Sequence, residues 1–264
     1  MKRLVRDPIL CGVFVDEHNH IQFNWNKDKL YRDVVFLNKP SNGFVTKDGV
    51  IIVYAYSLNP NCPSEVLSEF RKKFKHPDMT TDVRTFVENG LNVLDEFIPL
   101  SEIDVAMHIK PTDDRKPSIL GEVENQLLNK PTTKCIGYRL VKETYEHVKF
   151  DVDKARKFLI DEGIQRDRIE AILDRTVTLF NELKKTNRLF EMKRFSPRPI
   201  RFAFSDYLKF DSEEEYNAYH MLQGVNVVIY DDFITSGATI KEAARYLGSI
   251  NPTNTVIAFA LIRQ

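Results

Sequence analysis

Apolar and polar positions follow two rhythms along the chain. Over residues 10–15, 21–25, 34–37 and 50–56, short β-branched and aromatic runs are separated by turn chemistry at 16–19, 40–43 and 47–49. This predicts a small antiparallel sheet or meander. The rhythm then turns helical. Leu67, Phe70 and Phe74 share one face of a helix that starts at Ser64 and stops before Pro77. Val83, Phe86, Val87, Leu91 and Leu94 stripe a second helix over 82–97, which Pro99 closes. Stripes at this spacing are core-facing.

From Ile103 the two rhythms alternate. A strand over 103–109, a polar loop over 110–118, a helix over 119–128 and a strand over 134–141 make a β-α-β unit, which implies a parallel sheet. Residues 151–195 are helical, with segments 152–161 and 166–190 broken at Gly163 and a stripe of Ile169, Ile172, Leu173, Val177, Phe180 and Leu183. An extended stretch over 200–210, an acidic helix over 211–221, a strand over 225–230, a helix from Ala238 and a strand over 255–262 complete the pattern. The chain divides into a β-rich N-terminal part, 1–97, and an α/β core, 98–264, with a helical insertion at about 151–195.

Composition narrows the class. The 38 basic and 38 acidic residues balance, so no global charge points to nucleic acid or an anionic membrane. Cys11, Cys62 and Cys135 are odd in number and widely spaced, which argues against a disulfide framework or a zinc ribbon. The first residues are charged, and nowhere do eighteen apolar residues run together, so a cytoplasmic protein without a membrane partner is expected. His18-Asn19-His20 is read as a turn.

The chemistry concentrates in residues 227–239, VVIYDDFITSGAT. A buried-type strand meets Asp231 and Asp232, then Thr235, Ser236 and Gly237, then a helix that starts at Ala238. A helix N-terminus presents unpaired N–H groups and partial positive charge, and is suited to a phosphate. Gly237 permits close backbone approach, and Thr235, Ser236 and Thr239 add hydroxyl donors. A Walker loop would need a second glycine and a lysine, and a dinucleotide fingerprint would need G-x-G-x-x-G; neither pattern is present. Two acids just before a phosphate loop suit a sugar phosphate whose hydroxyls or Mg²⁺ face the carboxylates.

This run resembles the phosphoribosyl pyrophosphate motif of type I phosphoribosyltransferases, in which two acids precede a T-[ST]-G-x-[ST] loop. The resemblance implies a twisted, mainly parallel sheet flanked by helices, carrying the N-terminal β-rich extension and the helical insertion. It also implies Mg²⁺-dependent transfer of phosphoribosyl to a nitrogen base with release of pyrophosphate. Thr235, Ser236, Gly237, Ala238 and Thr239 would hold the 5′-phosphate. Asp231 and Asp232 would be the catalytic acids, facing the ribose hydroxyls or Mg²⁺. Pyrophosphate would lie against Lys110, Arg115 and Lys116 after the first core strand and Arg139 and Lys142 after the second. The 110–118 loop departs from the family pattern, being long and lacking a small glycine turn.

Thr235 stands where members acting on 6-oxopurines carry a carboxylate, and Asp232 stands where uracil-type members carry a proline, so both base classes are disfavoured, while orotate, adenine or an unusual acceptor stay open. The C-terminal strand and the Gly121, Asn125, Gln126 pattern are similar to competence-type, ComF-like relatives. A non-catalytic phosphoribosyl pyrophosphate or nucleotide binder, or a ComF-like accessory protein in contact with nucleic acid, is the alternative function. A homodimer is compatible with either reading. Base selection is expected from a hood in the N-terminal part, with Phe23, Trp25 and Phe44 as stacking candidates, or from the insertion, whose end carries Arg194 and Arg198.

Overall fold

The computed structural model describes residues 9–15, 21–24, 35–38, 44–47, 49–58, 64–110, 118–129 and 135–263. Trp25, the 16–20 turn, Arg115 and Lys116 lie outside the described residues.

Four short strands come first: β1 (Ile9–Val15), β2 (Ile21–Asn24), β3 (Val35–Asn38) and β4 (Phe44–Lys47). Next come β5 (Val50–Leu58) and the helices α1 (Ser64–Lys75) and α2 (Thr81–Phe97). The β-α-β unit is β6 (Val105–Ile109), α3 (Ile119–Leu128) and β7 (Ile136–Lys142). The insertion holds β8 (Lys149–Phe150), α4 (Val152–Asp161), α5 (Arg166–Lys184) and β9 (Phe204–Ser205), with β8 and β9 paired as a two-stranded ribbon. The chain continues with β10 (Leu208–Phe210), α6 (Glu213–His220), β11 (Asn226–Ile234), α7 (Ala238–Ile250) and β12 (Thr255–Arg263).

One ten-stranded sheet runs through the molecule in the order β10-β7-β6-β11-β12-β5-β3-β1-β2, with β4 also on β5. Its centre, β7-β6-β11-β12-β5, is parallel, while β10 pairs antiparallel at one end and β1–β4 at the other. The fold is α/β, as the alternating rhythm predicts. The sheet crosses the boundary expected at 97/98, because β5 pairs in parallel with β12 over Ile51 to Ser57. The antiparallel meander is therefore an extension of the core sheet and not a separate one.

Alternating side chains divide the core between the two faces. On β11, Val227 and Ile229 face a cluster containing α7 and the insertion, while Val228 and Tyr230 face one containing α1, α2 and α3. At 25 cal/mol per Å², each such fully buried aliphatic side chain contributes about 1.5–3 kcal/mol. Helix α2 lies tight on this sheet. A Cβ at Gly90 would come within 2.9 Å of Leu261 Cδ2 and 3.2 Å of Ala55 Cβ.

Two boundaries differ from the periodicity. Helix α5 ends at Lys184, and Phe190 is buried beside Phe195, Phe204 and Tyr207 instead of continuing the stripe. The stretch expected to be extended over 200–210 begins as a 3-10 turn, Arg198–Ala203, before two short strands. Among the described residues, no helix is long and apolar enough to cross a membrane.

Candidate active site

Strand β11 carries the acid pair to the carboxyl edge of the parallel sheet, where open α/β sheets bind ligands. Residues 227–230 are buried apolar, and β12 continues alongside, so Asp231 still pairs with Ala260 and the strand runs on to Ile234. The acids are thus the last turn of a braced strand. Asp231 is half-buried and Asp232 is 7 % exposed. Each carboxylate accepts a bond from the next backbone amide: Asp232 N donates to Asp231 Oδ1 and Phe233 N to Asp232 Oδ1, both at 2.8 Å.

The chain then turns through Thr235 and Ser236 into Gly237, whose φ of 79° and ψ of 4° lie in the left-handed region that favours glycine. The Gly237 carbonyl accepts the Lys241 amide at 2.9 Å, so α7 starts immediately beyond it. Ser236 Oγ accepts the Ala238 amide at 3.3 Å, which satisfies one of the otherwise orphaned donors of the first turn. Thr235 and Thr239 border a cavity, and so do both acids.

This cavity encloses ≈ 400 Å³. Among the described residues, five cationic side chains line it: Arg71 and Lys75 of α1, Lys110 after β6, Lys142 at the end of β7, and Lys193 in a 3-10 turn that follows α5. Asp231 and Asp232 are the only carboxylates of the lining among the described residues. Lys75 Nζ is 3.9 Å from Asp232 Oδ2. Phe190, Met192 and Phe233 supply apolar wall.

Burial, then the neighbouring Asp232 charge, holds the Asp231 carboxyl well above the usual carboxylate range, and Lys75 partly opposes this. Burial and the repulsion of Lys75 lower the Lys142 ammonium, and its side chain makes no hydrogen bond or ion pair among the described residues. Behind the acids, His108 Nδ1 and the Tyr230 hydroxyl share a 2.8 Å hydrogen bond. Burial, Arg139 and Lys110 push the imidazole down to about 4, so it is neutral at pH 7. A neutral imidazole on the neighbouring strand stiffens the base of the site without adding charge.

The structure gathers most of the expected residues and leaves some out. Thr235, Thr239, Asp231, Asp232, Lys110 and Lys142 meet at the cavity. Ser236, Gly237 and Ala238 shape the loop and the helix start. Lys110 also pairs with Asp211 at 3.2 Å. Arg139 does not belong to this group: it is exposed on β7, 3.5 Å from Glu124, and outside the cavity lining. Phe23 is a core residue stacked on Phe86, and Phe44 lies beside Phe97, so neither borders the cavity. Arg194 is bonded to Glu191.

Arg71, Lys75, His76, Lys193 and Tyr207 border the cavity without having been singled out by pattern. Arg71 and Lys75 stand at i, i+4 beside the apolar stripe of α1, and that spacing is the one signal the sequence held.

No protein-family model matches the chain. No curated protein matches it either.

Among the described residues no group of three or more histidine, cysteine or carboxylate side chains is arranged to hold a metal. The donor set at the cavity is nevertheless of the kind Mg²⁺ uses, one or two carboxylates completed by water and substrate phosphate oxygens.

Proposed function

We propose that this protein is a type I phosphoribosyltransferase that moves the phosphoribosyl group of phosphoribosyl pyrophosphate to a nitrogen base and releases pyrophosphate. The observation that carries this reading is the meeting of the Asp231–Asp232 strand end and the left-handed Gly237 entry into α7 at one cation-rich cavity. A ligand there needs an anionic end for the helix start and polar or metal-bound groups for the acids.

In this reading, the 5′-phosphate sits at the start of α7, with the Thr235 and Thr239 hydroxyls as donors. Asp231 and Asp232 accept from the ribose hydroxyls or hold Mg²⁺, which when bound neutralises diphosphate charge. Lys142 and Lys193 offset the charge that develops on departing diphosphate, and fixed cations serve this best where water is scarce. The nitrogen lone pair forms the bond to C1 as the C1–oxygen bond breaks, and the electron pair leaves with diphosphate. Phe190 and Met192 restrict water at the oxocarbenium-like centre.

Thermal unfolding with ligand tests the reading. Phosphoribosyl pyrophosphate with Mg²⁺ at a hundred times its dissociation constant adds about 2.7 kcal/mol, a shift of roughly 5–10 °C for a chain this size. Ribose 5-phosphate gives a smaller shift, and pyrophosphate appears when the correct base is added. No shift with either ligand at millimolar concentration overturns the proposal.

A further inference from the structure

Helix α1 precedes the β-α-β unit, and the resemblance assigns none of its residues a role, yet it places two cations at the acid pair. Arg71 and Lys75 are one helical turn apart and both reach the cavity. Arg71 Cζ lies 5.7 Å from the centroid of the Phe233 ring, and Phe233 immediately follows the acids. The ring is fixed by edge contacts with Phe70 and Phe74, at centroid distances of 5.8 and 5.2 Å. A guanidinium and an aromatic face therefore form one wall at the α1 side of the acids.

The other lining cations stand elsewhere. Lys110 follows β6 and Lys142 ends β7, the side on which the transferase reading puts diphosphate, and Lys193 comes from the 3-10 turn that follows α5. Burial disfavours the Arg71 charge, repulsion from Arg198 adds to this, and Asp232 opposes both. A half-buried guanidinium at a cavity wall is stabilised by an anion bound to it.

We propose that Arg71, with Lys75 beside it and the Phe233 ring at its face, binds the acceptor, and that the acceptor is a planar nitrogen heterocycle bearing a carboxylate. The inference rests on the transferase reading, since it names the substrate that attacks C1 in that same cavity. A guanidinium presents paired N–H donors in the plane a carboxylate needs, and the Phe233 ring beneath it backs the guanidinium and adds apolar wall for the heterocycle. A cavity of ≈ 400 Å³ that also takes the sugar phosphate leaves room for one small ring system. Attack by the ring nitrogen forms the N–C1 bond and expels diphosphate with its electron pair. A nitrogen that carries a proton loses it to solvent; a pyridine-type nitrogen carries none and takes the positive charge.

The test measures pyrophosphate release with phosphoribosyl pyrophosphate, Mg²⁺ and matched acceptors: orotate against uracil, and nicotinate against nicotinamide. At least one acid is expected to exceed its neutral partner tenfold or more in kcat/KM. Arg71→Met retains a flexible side chain on Phe233 and should raise KM for that acid roughly 10- to 100-fold, the worth of a charge-assisted contact, with little change in kcat. Arg71→Lys should restore part of the loss. The thermal shift with phosphoribosyl pyrophosphate should survive in both variants. Equal or better use of the neutral partners, or no release with any acid, overturns the inference. A loss of the phosphoribosyl pyrophosphate shift in Arg71→Met also overturns it, by giving Arg71 to diphosphate. Failure of the transferase reading shows separately, as no such shift in wild type. Titrating the acids alone then decides: binding lost in Arg71→Met supports the site, and no binding to wild type overturns it.

Discussion

The Tyr207 hydroxyl donates a hydrogen bond to the Ala238 carbonyl oxygen across 3.1 Å, joining the corner between β9 and β10 to the first turn of α7. Tyr207 is fully buried, and its hydroxyl also interacts with the Thr239 side chain. The preceding residue, Asp206, has a φ of 61°, uncommon outside glycine. It is held there by its amide, which donates to Glu242 Oε1 at 2.6 Å, and by Arg245, which bridges Asp206 and the buried Glu242. The end of the insertion is therefore pinned to the helix whose N-terminus faces the cavity.

Tyr207→Phe keeps the ring packing and removes the tether. The lost hydrogen bond should cost about 1 kcal/mol, seen as a fall in Tm of roughly 2–4 °C. If the tether also sets the loop, the dissociation constant for ribose 5-phosphate should rise about three- to tenfold. Unchanged affinity in a destabilised variant would make the contact purely structural.

Asp231 gives a pH-dependent prediction. Its carboxyl is raised by burial and by Asp232, so between the ordinary carboxylate value near 3.8 and its raised folded value the native state binds more protons than the unfolded one. Stability from this group therefore falls as pH rises through that window. Asp231→Asn removes the cost. In metal-free buffer the variant should melt above wild type at pH 7 to 8, with the gap closing as pH falls toward 4, while pyrophosphate release drops by about two orders of magnitude. A variant less stable than wild type at pH 8 would contradict this.

The segment from β11 to α7 was legible because three signals coincide there: an apolar run, a pair of acids, and a glycine at the change from strand to helical period. Helix α7 begins at Ala238, as that change predicts. The place of β5 was not read from periodicity, which fixes a strand's faces and not its neighbours. Its sequence, VIIVYAYSL, is buried on both faces over Ile52 to Tyr56, the signature of a central strand. Arg71 and Lys75 were hidden for a related reason. Amphipathicity located the buried stripe of α1, Phe70 and Phe74, but a side chain beside that stripe becomes a cavity cation only through where the helix stands on the sheet. Arg139 errs the other way: it sits at the expected position on β7, but alternation aims it at Glu124.

Gly237 separates backbone geometry from contact. Among the described residues a Cβ there would meet only Ile52 Cδ1 at 3.5 Å, an ordinary contact, so the cost of Gly237→Ala lies in its φ of 79°. Forcing an L-residue into this region costs about 1–2 kcal/mol, or relief comes by rotating the start of α7 and misdirecting its N–H groups. Gly163, between α4 and α5, is the control, with a φ of 75° and nothing within 4 Å of an added Cβ. Both alanine variants should lose stability by similar amounts in thermal unfolding. Only Gly237→Ala should weaken ribose 5-phosphate binding, by roughly tenfold, because only there do displaced amides face a ligand. Equal affinity in the two variants would remove the start of α7 from the phosphate site.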